Sequence, residues 1–75
     1  MTKHPGFYLK KEMDERKLSV PDFAITLVIS EQYLNAILSG ERAISPFMAM
    51  RLADALNVSP AFFVNLQRAY DNEKP

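Results

Sequence analysis

The apolar positions of this chain recur at helical spacing from one end to the other, and no stretch alternates in the manner of a strand. Leu9 and Met13 set a first helix from about Gly6 to Arg16, with Phe7 and Tyr8 widening its apolar surface and Lys10, Lys11 and Asp14 outside. Phe23, Ala24 and Leu27 mark a second helix, opened by Ser19 as N-cap, by Val20 and Pro21, and by Asp22 in capping-box position. A third begins at Ser30, again a capping type, with Leu34, Ile37 and Leu38 as its apolar stripe. Its other face carries Glu31, Gln32, Tyr33, Asn35 and Ala36, and Ser39-Gly40 closes it, Gly40 being free to turn left-handed. After a short connection in which Ile44 is expected to plug into the core, Ser45 caps and Pro46 opens a fourth helix. Met48, Leu52, Ala55 and Leu56 form its stripe, and Asn57 ends it in the left-handed region. Ser59 and Pro60 repeat the device for a fifth helix bearing Phe62, Phe63, Leu66, Ala69 and Tyr70, followed by a polar tail, residues 72–75, expected to fray.

The pattern predicts an all-α domain of five helices with no linker to divide it. Within it, the two short helices spanning about residues 19–39, separated by about three residues, have the dimensions of a helix-turn-helix. The third helix is then the candidate reader of a DNA groove, entering with the polar face opposite its stripe.

Composition sharpens this picture in a few places. A chain of 75 residues with 48% hydrophobic content can support one small core. It has no cysteine, so neither a disulfide framework nor a thiolate metal site is open to it. No apolar run reaches the length of a membrane span and Met1–His4 has no signal-peptide character, which points to the cytoplasm. Nine basic and nine acidic residues cancel, an unusual balance for a nucleic-acid binder. The charge is uneven, however: the first 17 residues hold five basic against three acidic groups, and the remainder four against six. Phosphate contacts would therefore draw on the first helix and Arg42.

Gln32 is the best base reader, since its amide can pair with adenine N6 and N7 together. Tyr33 and Asn35 flank it, Tyr33 being able to meet a thymine methyl or a phosphate; Glu31 can accept from cytosine N4. Ser19 and Ser30 stand at helix N-termini, where amide groups and the dipole favour phosphate. Ser39 and Arg42 would hold the DNA backbone beyond the third helix, with Lys10 or Lys11 reaching it from the first. The alternative is that Gln32, Tyr33 and Asn35 form a merely solvated face. On the fifth helix Phe62, Phe63, Leu66 and Tyr70 offer more apolar surface than one face absorbs, and part of it is expected to be a homodimer contact.

Catalytic and metal chemistry find little footing, so no enzyme and no cofactor are expected. His4 is the single histidine and reads as a surface residue, Glu12, Asp14 and Glu15 read as a solvated face, and Met48 and Met50 as core filler.

The chain resembles the HigA-type, VapI-like antitoxins of the Xre/phage-repressor helix-turn-helix class. The resemblance rests on His4-Pro5-Gly6 with Leu9, on Leu18-Ser19 and Phe23-Ala24, and on Ser30-Glu31-Gln32 through Gly40. It continues with Arg42-Ala43-Ile44-Ser45, Ala49-Met50-Arg51-Leu52-Ala53, Ser59 through Gln67, and Ala69-Tyr70-Asp71. It implies a five-helix domain that dimerises, binds double-stranded operator DNA of its own operon, and neutralises a co-transcribed HigB-type toxin that cleaves mRNA on the ribosome. Gln32 matches the family's reading position. Three positions depart from the pattern: Val28 stands where glycine is usual, Glu31 where a basic or neutral residue opens the reading helix, and Glu41 where lysine is common. Valine in a left-handed turn costs about 1 kcal/mol or more, unless the turn is remodelled. The alternatives are an orphan Xre-type prophage regulator and a protein-interaction module with weak DNA affinity, toward which Glu31, Glu41 and the zero net charge lean.

Overall fold

The computed structural model describes residues 3–73, and five helices account for most of them. They are α1 (Pro5–Glu15), α2 (Val20–Leu27), α3 (Glu31–Leu38), α4 (Pro46–Leu56) and α5 (Pro60–Glu73). Among the described residues there is no strand.

Serine chemistry starts three of these helices as expected. Ser19, Ser30 and Ser45 each accept through Oγ the amide N–H three residues on, from Asp22, Tyr33 and Met48, at 3.0–3.2 Å. Each satisfies one of the donors that a helix N-terminus leaves unpaired. Ser59 Oγ accepts more weakly, from the N–H of Ala61 at 3.3 Å. The first helix uses a different cap: His4 Nδ1 accepts the N–H of Gly6 at 2.9 Å, and its ring stands edge-on to Tyr70 of α5 at 4.9 Å. His4 is therefore the N-cap of α1 and a link to α5 rather than a plain surface residue.

The first four helices all end in one way. A residue with positive φ follows each, namely Lys17, Val28, Gly40 and Asn57. The next amide reaches back five residues, from Leu18 to Met13, Ile29 to Ala24, Glu41 to Ala36 and Val58 to Ala53. This is the Schellman arrangement, and Leu18, Ile29 and Val58 complete it by packing on the core. Gly40 and Asn57 were legible as terminators from their residue type and Val28 only from its place in the family pattern; Lys17 was not legible. The turn at Val28 is not remodelled: φ 58° and ψ 47° put valine squarely in the left-handed region.

One core joins all five helices. Leu9 and Met13 of α1, Phe23, Ala24 and Leu27 of α2, and Leu34 and Ile37 of α3 meet Ile44, Met48, Ala49, Leu52 and Leu56, with Phe63 from α5. Three expectations are corrected here. Met50 is 61% exposed and is no core filler, and Ala55 is exposed while Ala49 and Ala53 fill the α4 core face. Phe63 is fully buried within one chain, so it belongs to this core and cannot form a dimer contact. The expected tail is helical as far as Glu73; residues 74 and 75 lie outside the described residues.

Two tertiary contacts fix where α3 sits. Gly6 is buried where α1 crosses the end of α3, and a Cβ there would stand 2.0 Å from the Ile37 carbonyl oxygen. Behind α3, the Ile44 N–H donates to Gln67 Oε1 at 2.9 Å, and Gln67 Nε2 donates to Asp71 Oδ1 at 2.9 Å. Gln67 is the one buried polar side chain among the described residues, and it ties the α3–α4 connection to α5.

Candidate nucleic-acid interface

α3 is held from behind by α1 and α2, which turns its other side outward. Leu34 and Ile37 are buried, whereas Gln32, Asn35 and Ser39 are exposed and Ala36 is half-buried. At 3.6 residues per turn these four positions, spaced i, i+3, i+4 and i+7, form one outward stripe. Gln32 stands at its N-terminal end, roughly opposite Leu34 around the helix, with its amide oxygen and NH2 group available to a base edge. Glu31 is exposed in the first turn, where its carboxylate suits the positive end of the helix dipole.

Tyr33 lies on the flank of this stripe, half-buried against the core. The Arg42 guanidinium sits over its ring at 4.9 Å, so one ring face is taken and Arg42 is held beside the end of α3. Ser39 Oγ donates to the Ala36 carbonyl at 3.1 Å, an oxygen that also accepts the N–H groups of Glu41 and Arg42. Gln32, Tyr33, Asn35, Ser39 and Arg42 therefore share the exposed side of α3 and the turn beyond it. Ser30 and Ser19 cap α3 and α2.

The α1 cations are less clearly part of this surface. Lys10 donates to Asp14 at 3.2 Å, an exposed i, i+4 pair that water screens strongly. Arg16 pairs with Glu12 in the same way. Lys11 is exposed and belongs to neither ion pair. The surface is thus mainly one of amides and hydroxyls, with Arg42 as its best-placed charge.

The helix-turn-helix family model matches residues 9–63, which include the whole of α2, α3 and α4. An addiction-module antidote protein of the HigA family from Coxiella burnetii superposes with a TM-score of 0.89 at 39% identity, over 97% of this chain and 82% of that one. The chain belongs to the HigA-type helix-turn-helix family. The Pseudomonas aeruginosa antitoxin HigA, solved with the higBA promoter, also superposes at 0.89, with 35% identity over 95% of this chain and 78% of that one. An uncharacterised HTH-type transcriptional regulator of Escherichia coli, YddM, is 32% identical over 66 residues, covering 88% of this chain and 70% of the relative.

Contacts from distant parts of the chain hold α3 of this HigA-type domain in place. Sequence reasoning passed over three of them: Gly6, which lets α1 close on α3; Gln67, which anchors the loop behind it; and Arg51, whose Nη2 donates to the Leu27 carbonyl at the end of α2. Gly6 and Gln67 lie within the stretches that carry the family resemblance, but their partners are 31 and 23 residues away. Arg51 places a cation at the negative end of the α2 dipole, just where Val28 turns the chain toward α3. Among the described residues no group of three or more His, Cys, Asp or Glu side chains could hold a metal ion, and no helix is long and apolar enough to cross a membrane.

Proposed function

We propose that this chain is a sequence-specific DNA-binding antitoxin that represses its own toxin–antitoxin operon from the cytoplasm. The observation that carries the reading is the outward stripe of α3, with Gln32 at its start and Arg42 held beyond its end over Tyr33. An amide at that place can read adenine in the major groove, and the serine-capped N-termini of α2 and α3 suit phosphate. The P. aeruginosa HigA structure with its promoter supports the assignment, since 35% identity extends over most of both chains. Neutralisation of a HigB-type toxin belongs to the same reading, as does the lack of an enzymatic role.

The test is fluorescence anisotropy with the DNA upstream of the chain's own gene. Gln32→Ala is expected to weaken binding by about 1–3 kcal/mol while the helical circular dichroism stays unchanged. With Lys10, Lys11 and Arg42 as the available cations, the salt slope should not exceed about −3 per protomer. Full affinity in Gln32→Ala would remove α3 as the reader. The exposed carboxylates Glu31 and Glu41 favour a second reading, a protein-interaction module with little DNA affinity. Toxin neutralisation without any operator binding would select it.

A further inference from the structure

The break between α2 and α3 carries a cost that the two helices do not offset by themselves. Val28 holds φ 58° and ψ 47° there and is exposed, so it gains little burial in return. A β-branched residue favours leaving this region, and a change at Val28 would alter the direction in which α3 departs from α2. The Schellman pair resists the change in part. The Val28 N–H donates to the Ile25 carbonyl at 3.1 Å, and the Ile29 N–H to the Ala24 carbonyl at 3.0 Å. That pair leaves the Leu27 carbonyl to a side chain from another helix.

Arg51 reaches it from α4. Its Nη2 donates to the Leu27 carbonyl, 24 residues away in sequence. Its guanidinium also stands 5.6 Å from the centre of the Phe47 ring, one turn earlier on α4. Arg51 is half-buried and belongs to neither ion pair of the described residues. The peptide group leading from Leu27 into Val28 is therefore held at both ends, its N–H by Ile25 and its oxygen by Arg51. Because a peptide group is planar, fixing its two polar atoms fixes the ψ of Leu27 and the φ of Val28 together.

We infer that Arg51 is the positioning residue of the reading helix: by clamping the Leu27–Val28 peptide it keeps Val28 left-handed and so sets the angle at which α3 leaves α2. Its consequence for DNA rests on the proposed DNA-binding role of α3. Arg51 lies outside the outward stripe of α3, so it acts through the turn and not as a base reader. Valine needs this clamp, whereas glycine would adopt the turn without it. Residues 28 and 51 are therefore coupled, and the coupling separates this role from a mere packing contact.

The experiment is a double-mutant cycle on the full chain: the unmodified protein, Arg51→Met, Val28→Gly, and the two together. Arg51→Met keeps an apolar stem and removes every donor. Nuclear magnetic resonance reads the turn directly, since positive φ brings the amide proton of residue 28 close to its own Hα and gives a strong intraresidue NOE. That NOE should weaken in Arg51→Met. Arg51→Met should also weaken binding to the chain's own upstream DNA at least about tenfold, and to a scrambled duplex by less than about twofold. Adding Val28→Gly should bring operator binding back to within about twofold of Val28→Gly alone, the additivity of uncoupled sites. A lost cation, or lost packing on Phe47, would not be repaired at residue 28. Arg51→Lys, which keeps a cationic donor, should fall between the unmodified chain and Arg51→Met. An unchanged NOE in Arg51→Met, an operator loss that Val28→Gly does not repair, or equal losses on both duplexes would each overturn the proposal. Should Arg51→Met unfold, recovery of its urea midpoint by Val28→Gly supports the clamp, and unfolding that Val28→Gly leaves untouched overturns it. Failure of the unmodified chain to bind the operator would bear on the function alone, because the NOE and the urea cycle decide the clamp without DNA.

Discussion

Replacing Val28 with glycine should stabilise this protein, although it removes three carbon atoms. Val28 sits at φ 58° and ψ 47°, where its Cβ crowds the backbone, and it is 76% exposed, so it contributes little burial. The left-handed region costs an L residue about 1–2 kcal/mol, and a β-branched side chain belongs at the upper end of that range. Glycine returns about 0.5–1 kcal/mol of this gain, because its unfolded chain has more freedom to lose. The net expectation is a gain of about 1–1.5 kcal/mol, or about 4–12 °C in Tm for a domain of this size. The molecule supplies its own controls, since Lys17 and Asn57 occupy the same conformation at φ 58° and 59°, in the same kind of helix ending and both exposed. Asparagine tolerates that region best and lysine less well, so the gain should fall in the order Val28→Gly, Lys17→Gly, Asn57→Gly, the last near zero. Urea unfolding followed by far-ultraviolet circular dichroism measures all three. A Val28→Gly protein no more stable than the original would refute the reasoning, as would an equal gain in Asn57→Gly.

Two further substitutions test the supports of the reading helix. Gly6→Ala would place a Cβ 2.0 Å from the Ile37 carbonyl oxygen, and because that neighbour is backbone the helices must part. A loss of about 2–3 kcal/mol is expected in the same urea titration, and an unchanged midpoint would mean that α1 does not close on α3. Gln67→Leu keeps the bulk but leaves the buried Ile44 N–H without its acceptor. It should cost about 1–3 kcal/mol and speed hydrogen exchange at the Ile44 amide; unaltered exchange there would show that the bond is not made in solution.

Much of the fold was legible because it is local. A serine followed by an early proline, or by an acid three residues on, satisfies a helix start from within a few residues, and Gly40 and Asn57 answer the steric demand of a helix end in the same way. The stripe of α3 was equally clear, because Leu34 and Ile37 oblige Gln32, Asn35 and Ser39 to face the other way. Apolar residues at helical spacing were less informative where both faces of a helix carry them. In α4 the sequence could not separate Met48, which is buried, from Met50, which is not, nor Ala53 from Ala55. In α5 it could not tell that Phe63 fills the core while Phe62 only leans on it.

Sequence alone determined the number and order of the helices, three of their serine caps, two of their terminators and the side of α3 that faces outward. These follow from interactions reaching four or five residues, which the order of side chains specifies directly. The tertiary structure decided that Lys17 turns left-handed, and that Val28 takes the strained turn without remodelling, because Leu18 and Ile29 must reach the core beyond them. It also decided that His4 caps α1, that Gly6 admits α3, that Gln67 holds Ile44, and that Phe47 and Met50 of α4 stay exposed. Each of these depends on what a distant part of the chain brings alongside, and periodicity along a single helix carries no information about that neighbour.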